Sequence, residues 1–429
     1  MLITGARLRD REGLWDINIV GERIDTITPA AEGDDGVTDP PGTGTTAAPH
    51  RDEEVYAAGG RLVAPQFVEN HIHLDYANTA GTPRANISGT LFEGIEIWAE
   101  RKAAGLNSPE QIKTNALAAA RSAVSHGVGV IRTHVDVTDP TFAAFEALAE
   151  LKQEIRDWCH LQLVAFPQNG MFAYPGGLEL LEGAMQQGAD VVGGIPHLEP
   201  TRESGLYALR KIFDLAEKYD ALVDVHCDEI DDAGSRFVEV MASEATNREM
   251  QGRVTISHAV AMAYYDPGYL ARLLPQLAAS GVGFAVCPNE NLHLQGRDFG
   301  PPAPRGVAPV RTLTEWGIPV AFCQDSMVDP WYPVGDGDPL RILDSGLHVT
   351  HMLTAEYLSR CLDFITTNPA RNLGLAGEHE VAAGKAANLL VLDAADDETA
   401  VRTKAEVLLS IHRGTEVFRR EPARTTWSV

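Results

Sequence analysis

Leu62-Val63-Ala64-Pro65-Gln66-Phe67-Val68-Glu69-Asn70-His71-Ile72-His73 is the stretch on which the reading of this chain turns. Its first seven residues are apolar enough to predict one buried strand. Two histidines close it. Side chains alternate along a strand, so residues at i and i+2 point the same way. Two imidazoles on one face at a strand's end can bind one metal ion. A lone His-x-His is common by chance, so its meaning depends on what other segments bring beside it.

Seven more short apolar runs follow the same plan, at 128–134, 161–168, 191–197, 222–226, 254–258, 282–288 and 320–325. Most end in a polar residue capable of chemistry, among them His134, Gln168, His197, His226, His258 and Asp325. From His134 onward they recur about every 30 residues, the length of a strand–helix unit. Eight such units predict an α/β fold, a (β/α)8 TIM barrel, whose active-site face is made by the strand C-termini. The long gap after His73 holds a helical pattern at 91–98, placed to cover that mouth. Short strand patterns also occupy residues 1–27 and 381–411. The two ends are therefore expected to pair into a small β-sandwich. The expected division is 1–63 for the N-terminal part of the sandwich, 64–376 for the barrel and 377–429 for the C-terminal part. Residues 29–54 are rich in Pro, Gly, Thr, Ala and Asp and read as a flexible insertion.

Composition narrows the function. Of 429 residues, 44% are hydrophobic, enough for a sizeable core. No run approaches the ~18 apolar residues of a membrane helix, and the N-terminus lacks a signal-peptide pattern. The expected location is the cytoplasm, away from any membrane. A formal charge of −25 would repel a nucleic-acid polymer, so a nucleobase substrate should be a free one. Five scattered cysteines without a Cys-x-x-Cys suggest small buried thiols, not a disulfide framework or a zinc knuckle.

The barrel reading gives the histidine pair its partners. His71 and His73 end the first strand, His226 the fifth, His258 the sixth and Asp325 the eighth. Three neutral imidazoles and a carboxylate from this group would hold one divalent ion, Zn²⁺ or Fe²⁺, with room for a water. Such an ion lowers the pKa of its water toward neutrality. Glu229, three residues past His226, can carry a proton from that water to a substrate. Taken singly, each residue has a plainer explanation. A strand-end histidine is usually a structural hydrogen-bonder, which is how His134 and His197 read. Asp325 alone could cap a helix.

The pattern of His-x-His on strand 1, His on strands 5 and 6 and Asp on strand 8 resembles the amidohydrolases. The flanking segments 3–8 and 382–393 look like that family's β-sandwich. Strand 4 offers no lysine to bridge two metals, which points to the one-metal deaminase branch. Glu69-Asn70-His71-Ile72-His73-Leu74-Asp75, Phe166-Pro167-Gln168, His226-Cys227-Asp228-Glu229, Asn291-Leu292-His293-Leu294-Gln295-Gly296-Arg297 and Asp329-Pro330-Trp331-Tyr332-Pro333 narrow the resemblance to bacterial cytosine deaminases. The resemblance implies that His71, His73, His226 and Asp325 bind the metal. Glu229 would shuttle protons, and His258 with Asp325 would polarise the water. Gln168 would read the amide-like edge of a pyrimidine, and Trp331 would stack on the ring. It also implies hydrolytic loss of ammonia from C4 and a homo-oligomer.

Two positions depart from the family. Ser326 stands where a carboxylate is usual, beside the C4–C5 edge of the ring, and Asn289-Glu290 replaces apolar residues. A small Ser326 leaves room for a C5 substituent. The expected substrate is therefore cytosine or 5-methylcytosine. The alternatives are isoguanine or another cyclic amidine, a triazine aminohydrolase, and a catalytically silent scaffold.

Overall fold

The computed structural model describes residues 1–31, 54–301 and 303–428. The insertion expected over 29–54 lies outside them except at 29–31 and 54. Sixteen strands form two sheets among these residues. The first sheet contains β1 (Leu2–Leu8), β2 (Arg11–Val20), β3 (Arg23–Pro29), β4 (Val55–Ala57) and β5 (Leu62–Pro65). The second contains β6 (Phe67–Ile72), β7 (Val128–Asp136), β8 (His160–Phe166), β9 (Val191–Gly194), β10 (Leu222–Cys227), β11 (Val254–His258), β12 (Gly283–Val286) and β13 (Val320–Phe322). Three C-terminal strands, β14 (Leu389–Leu392), β15 (Val407–His412) and β16 (Thr415–Arg419), return to the first sheet.

The β6–β13 sheet is wholly parallel, with sequential neighbours in order. It closes through an isolated parallel bridge between Ile72 and Asp325. Asp325 N–H donates to His71 O, and His73 N–H donates to Asp325 O, both at 2.9 Å. The Glu69 carboxylate adds a clasp, accepting from the backbone N–H groups of His71 at 3.0 Å and Gln324 at 3.1 Å. This is the TIM barrel expected from the eightfold rhythm.

The opening stretch is two strands, not one. β5 pairs with β14 in the terminal sheet, and β6 begins the barrel. Gln66 sits at the break. Its amide donates to Ser410 Oγ, its Oε1 pairs with His412 Nδ1, and its backbone O pairs with His379. These contacts come from residues more than three hundred positions away. The local pattern carries no trace of them.

The terminal strands form one continuous mixed sheet around its own core, built from both ends of the chain. Along β14 the two faces alternate. Leu389 and Val391 fill that core, whereas Leu390 and Leu392 join the barrel's. A strand buried on both faces reads as an unbroken apolar run. That is why β14 lacks a polar side.

A helix over Leu91–Ala103 covers the mouth, as its position suggested. Thr90 caps it by accepting from Glu93 N–H. Trp98 Nε1 and Lys102 Nζ both donate to Asp136 Oδ2, at 2.9 and 2.6 Å. Trp331 Nε1 donates to Leu91 O at 3.1 Å. Gly94 lies so close to Trp331 that an added Cβ would stand 2.4 Å from its Nε1. Gly94→Ala must therefore displace the helix or the indole. The expected cost is about 1–3 kcal/mol by thermal unfolding, as for other overpacked sites.

Burial alone would raise the Asp136 carboxyl. The Lys102 ammonium and the bonds from Thr138 outweigh it and hold the group below the usual carboxylate range. A depressed folded-state pKa stabilises above the unfolded value, and that stability is lost as pH falls through the folded one. The stability advantage of the wild type over Asp136→Asn should thus shrink as pH drops from about 6 to about 3, measured by denaturant unfolding.

Candidate active site

Eight of the nine side chains singled out from the sequence line one cavity at the barrel mouth. His71 is the exception, and it lies fully buried just beneath. Strand ends deliver them. Asp325 and His258 both have left-handed backbone, each with φ of 67°. Non-glycine residues adopt that conformation at a cost that the surrounding fold must cover. Asp228, at φ 55°, anchors the loop after β10. Its carboxylate accepts from Ser235 Oγ and from the N–H groups of Phe237 and Val238, which open the next helix. That anchorage places the neighbouring Glu229 in the cavity.

The histidines and Asp325 converge. His73 Nε2 lies 3.1 Å from His226 Nε2. Asp325 Oδ1 lies 3.4 Å from His71 Nε2 and 3.5 Å from His73 Nε2. A tetrahedral ion with bonds of about 2.1 Å has ligand–ligand edges of about 3.4 Å. Three edges of the set therefore have the right length for one such ion, and the ligand atoms of His71, His73 and His226 lie within 4.8 Å of one another. Burial lowers the imidazole pKa of His71 and His73 to about 3, so both are neutral, as ligands must be.

A buried chain fixes the His71 tautomer. Arg132 pairs with Asp224 at 2.9 Å, both fully buried. The other Arg132 bonds run to Gln162, Thr255 Oγ1 and Asn372 O. Asp224 Oδ1 accepts from Ser257 Oγ at 2.6 Å. Ser257 Oγ has thus used its proton and must accept from His71 Nδ1–H, at 2.9 Å. His71 Nε2 is left as a bare lone pair facing Asp325. Supports of this kind typically matter about 10–100-fold in metal affinity. Ser257→Ala should weaken zinc binding by that factor, read by competition with a chromogenic chelator.

Glu229 lies 3.5 Å from His258 Nδ1, and Asn291 Nδ2 reaches both, at 3.5 and 3.4 Å. Burial, and then the nearby Asp325, push Glu229 well above the ordinary carboxyl range. Gln168 accepts from Tyr76 O–H at 2.7 Å, which fixes the amide and leaves its N–H groups for a ligand. Trp331 packs with Tyr76, Trp98 and Leu294 and also lines the cavity. Ser326 Oγ donates to Glu290 Oε1 at 3.0 Å.

Some expectations change. His134 is not the hydrogen-bonder expected, since neither of its ring nitrogens finds a protein partner among the described residues, whereas the His197 ring faces the His226 backbone. His134 instead stacks on His71, with centroids 3.9 Å apart. All five cysteines are free and buried. Cys287 nevertheless comes within 4.8 Å of the ligand atoms of His71, His258 and Asp325. Burial holds its thiol protonated. Sequence reasoning assigned no role to Tyr76, Arg132, Asp224, Ser257 or Asn291. Arg132, Asp224 and Ser257 sit inside the strand runs and Asn291 in a motif segment, but nothing local marks their contacts.

Residues 101–418 match the amidohydrolase family, and the chain belongs to that family. It is accordingly a hydrolase built around a metal-binding group of buried His and Asp. It is 48% identical to 5-methylcytosine deaminase from Klebsiella pneumoniae, solved with 5-fluorocytosine, with a TM-score of 0.92 over 100% of this chain and 99% of that one. It is 29% identical to N-isopropylammelide isopropyl amidohydrolase from Pseudomonas sp. (strain ADP), over 98% of each chain. The Burkholderia multivorans N-isopropylammelide isopropylaminohydrolase structure shares 25% identity and a TM-score of 0.80, covering 97% of this chain and 98% of that one.

Proposed function

We propose that this protein deaminates a free pyrimidine base, 5-methylcytosine or cytosine, to thymine or uracil and ammonia. The convergence of His71, His73, His226 and Asp325 beside Glu229, with His73–His226, His71–Asp325 and His73–Asp325 separations of 3.1–3.5 Å, carries the reading. These four would hold one divalent ion, zinc or iron. Such an ion supplies an activated water at neutral pH. The likeness to the Klebsiella 5-methylcytosine deaminase supports the substrate.

The remaining work falls to the chain's own side chains. Gln168, held by Tyr76, donates from its amide to the base carbonyl and fixes the ring's rotation. Glu229 takes a proton from the water and passes it to the ring nitrogen, then takes the proton of the newly added hydroxyl and delivers it to the departing amine as the carbonyl forms. His258 and Asp325 hold the water against the carbon under attack. Trp331, Leu91 and Ile95 close the cavity and exclude bulk water. Ser326, small and 2% exposed, leaves the C5 edge less crowded than a carboxylate would. The chain works on free bases in the cytoplasm, as an oligomer.

Ammonia release from cytosine, 5-methylcytosine, isoguanine and N-isopropylammelide, with defined metal content, tests the reading. Release is expected from the two pyrimidines. Release from isoguanine alone would overturn it, as would isopropylamine release from the ammelide alone. Glu229→Gln should keep the metal, by elemental analysis, and lower kcat by about 10²–10⁴-fold, the usual contribution of a proton carrier. Residual activity above that range would remove Glu229 from its role.

A further inference from the structure

One polar atom in the cavity has no task in that reaction. Glu290 lies on the short helix Pro288–Leu294, just after β12, and its side chain is 3% exposed. It lines the cavity with Ser326 and Glu229. Its Oε1 accepts from Ser326 Oγ, but its Oε2 is buried without any protein partner. A buried polar atom left unsatisfied is destabilising, so sites retain one where a ligand completes it.

We propose that Glu290 and Ser326 form a subsite that reads a hydroxyl on the substrate. The preferred base would then carry hydroxymethyl, not methyl, at C5. This rests on the pyrimidine reading, which puts the C5 edge beside Ser326. A carboxyl oxygen can be met by a donor if it is ionised and by an acceptor if it is protonated. A hydroxyl is both, so it completes Glu290 in either state. Ser326 Oγ, having donated to Glu290, keeps lone pairs for the same hydroxyl. A methyl group satisfies neither residue and buries the lone Oε2 against carbon. Sites built to bond a hydroxyl discriminate strongly against analogues that lack it.

The test compares kcat/KM for 5-hydroxymethylcytosine and 5-methylcytosine by ammonia release. The wild type should favour the hydroxymethyl base by about tenfold or more. Glu290→Val should remove most of that preference, chiefly through KM. Glu290→Gln, which keeps an oxygen and adds an N–H, should retain much of it. Thermal unfolding checks that each variant is folded. A wild-type ratio at or below one would overturn the inference whether or not the variants fold. So would an unchanged ratio in folded Glu290→Val. If the wild type releases ammonia from cytosine or 5-methylcytosine without the preference, this inference alone fails. If it acts on no pyrimidine, the reading beneath it fails as well.

Discussion

The barrel closes through the backbone of one residue. Asp325 accepts from His73 N–H and donates to His71 O, joining the last strand to the first. Ring closure and the meeting of these three side chains are one contact. Asp325 also sits in left-handed backbone, at an expected cost of about 1–3 kcal/mol. The Glu69 clasp on the N–H groups of His71 and Gln324 holds the seam against that strain. Burial raises Glu69 to about 8, which marks how little solvent reaches the seam.

A polar layer inside the barrel supports the seam. The Arg132–Asp224 pair is wholly buried, a placement that is costly unless every group is bonded. Here the guanidinium makes five hydrogen bonds, and Asp224 accepts from both Arg132 and Ser257. The layer thus passes orientation upward to His71. It also explains how an arginine comes to sit fully buried in the middle of β7.

Above the seam, the surroundings push histidines and acids in opposite directions. Burial drives His71, His73 and His258 down to about 3, leaving them neutral. The same burial drives Glu229 and Glu290 up, and Asp325 adds to both shifts. Neutral nitrogens can accept a cation, and a carboxyl whose hold on a proton is strengthened can carry one. One physical cause, burial away from water, therefore prepares both kinds of group.

Much of the plan was legible along the chain. Strand alternation, run length and helix spacing are local properties, so the eight strands and their polar C-terminal residues could be read in order. His71, His73, His226, Glu229, His258 and Asp325 lie at those ends and followed from the barrel. The covering helix also showed, as a helical pattern in the one long gap. Other features left no local sign. Gln66 splits its apolar run because His379, Ser410 and His412 bond to it from the far end of the sequence. Ser257 on β11 orients His71 on β6 only because the closed ring brings the two together across its interior. The sequence by itself determined which residues face the mouth, because side-chain direction along a strand is set within a few residues. Only the tertiary structure decided which of them touch. Closure sets distances between residues hundreds of positions apart, and the pairing of β12 with β13 brings Ser326 against Glu290.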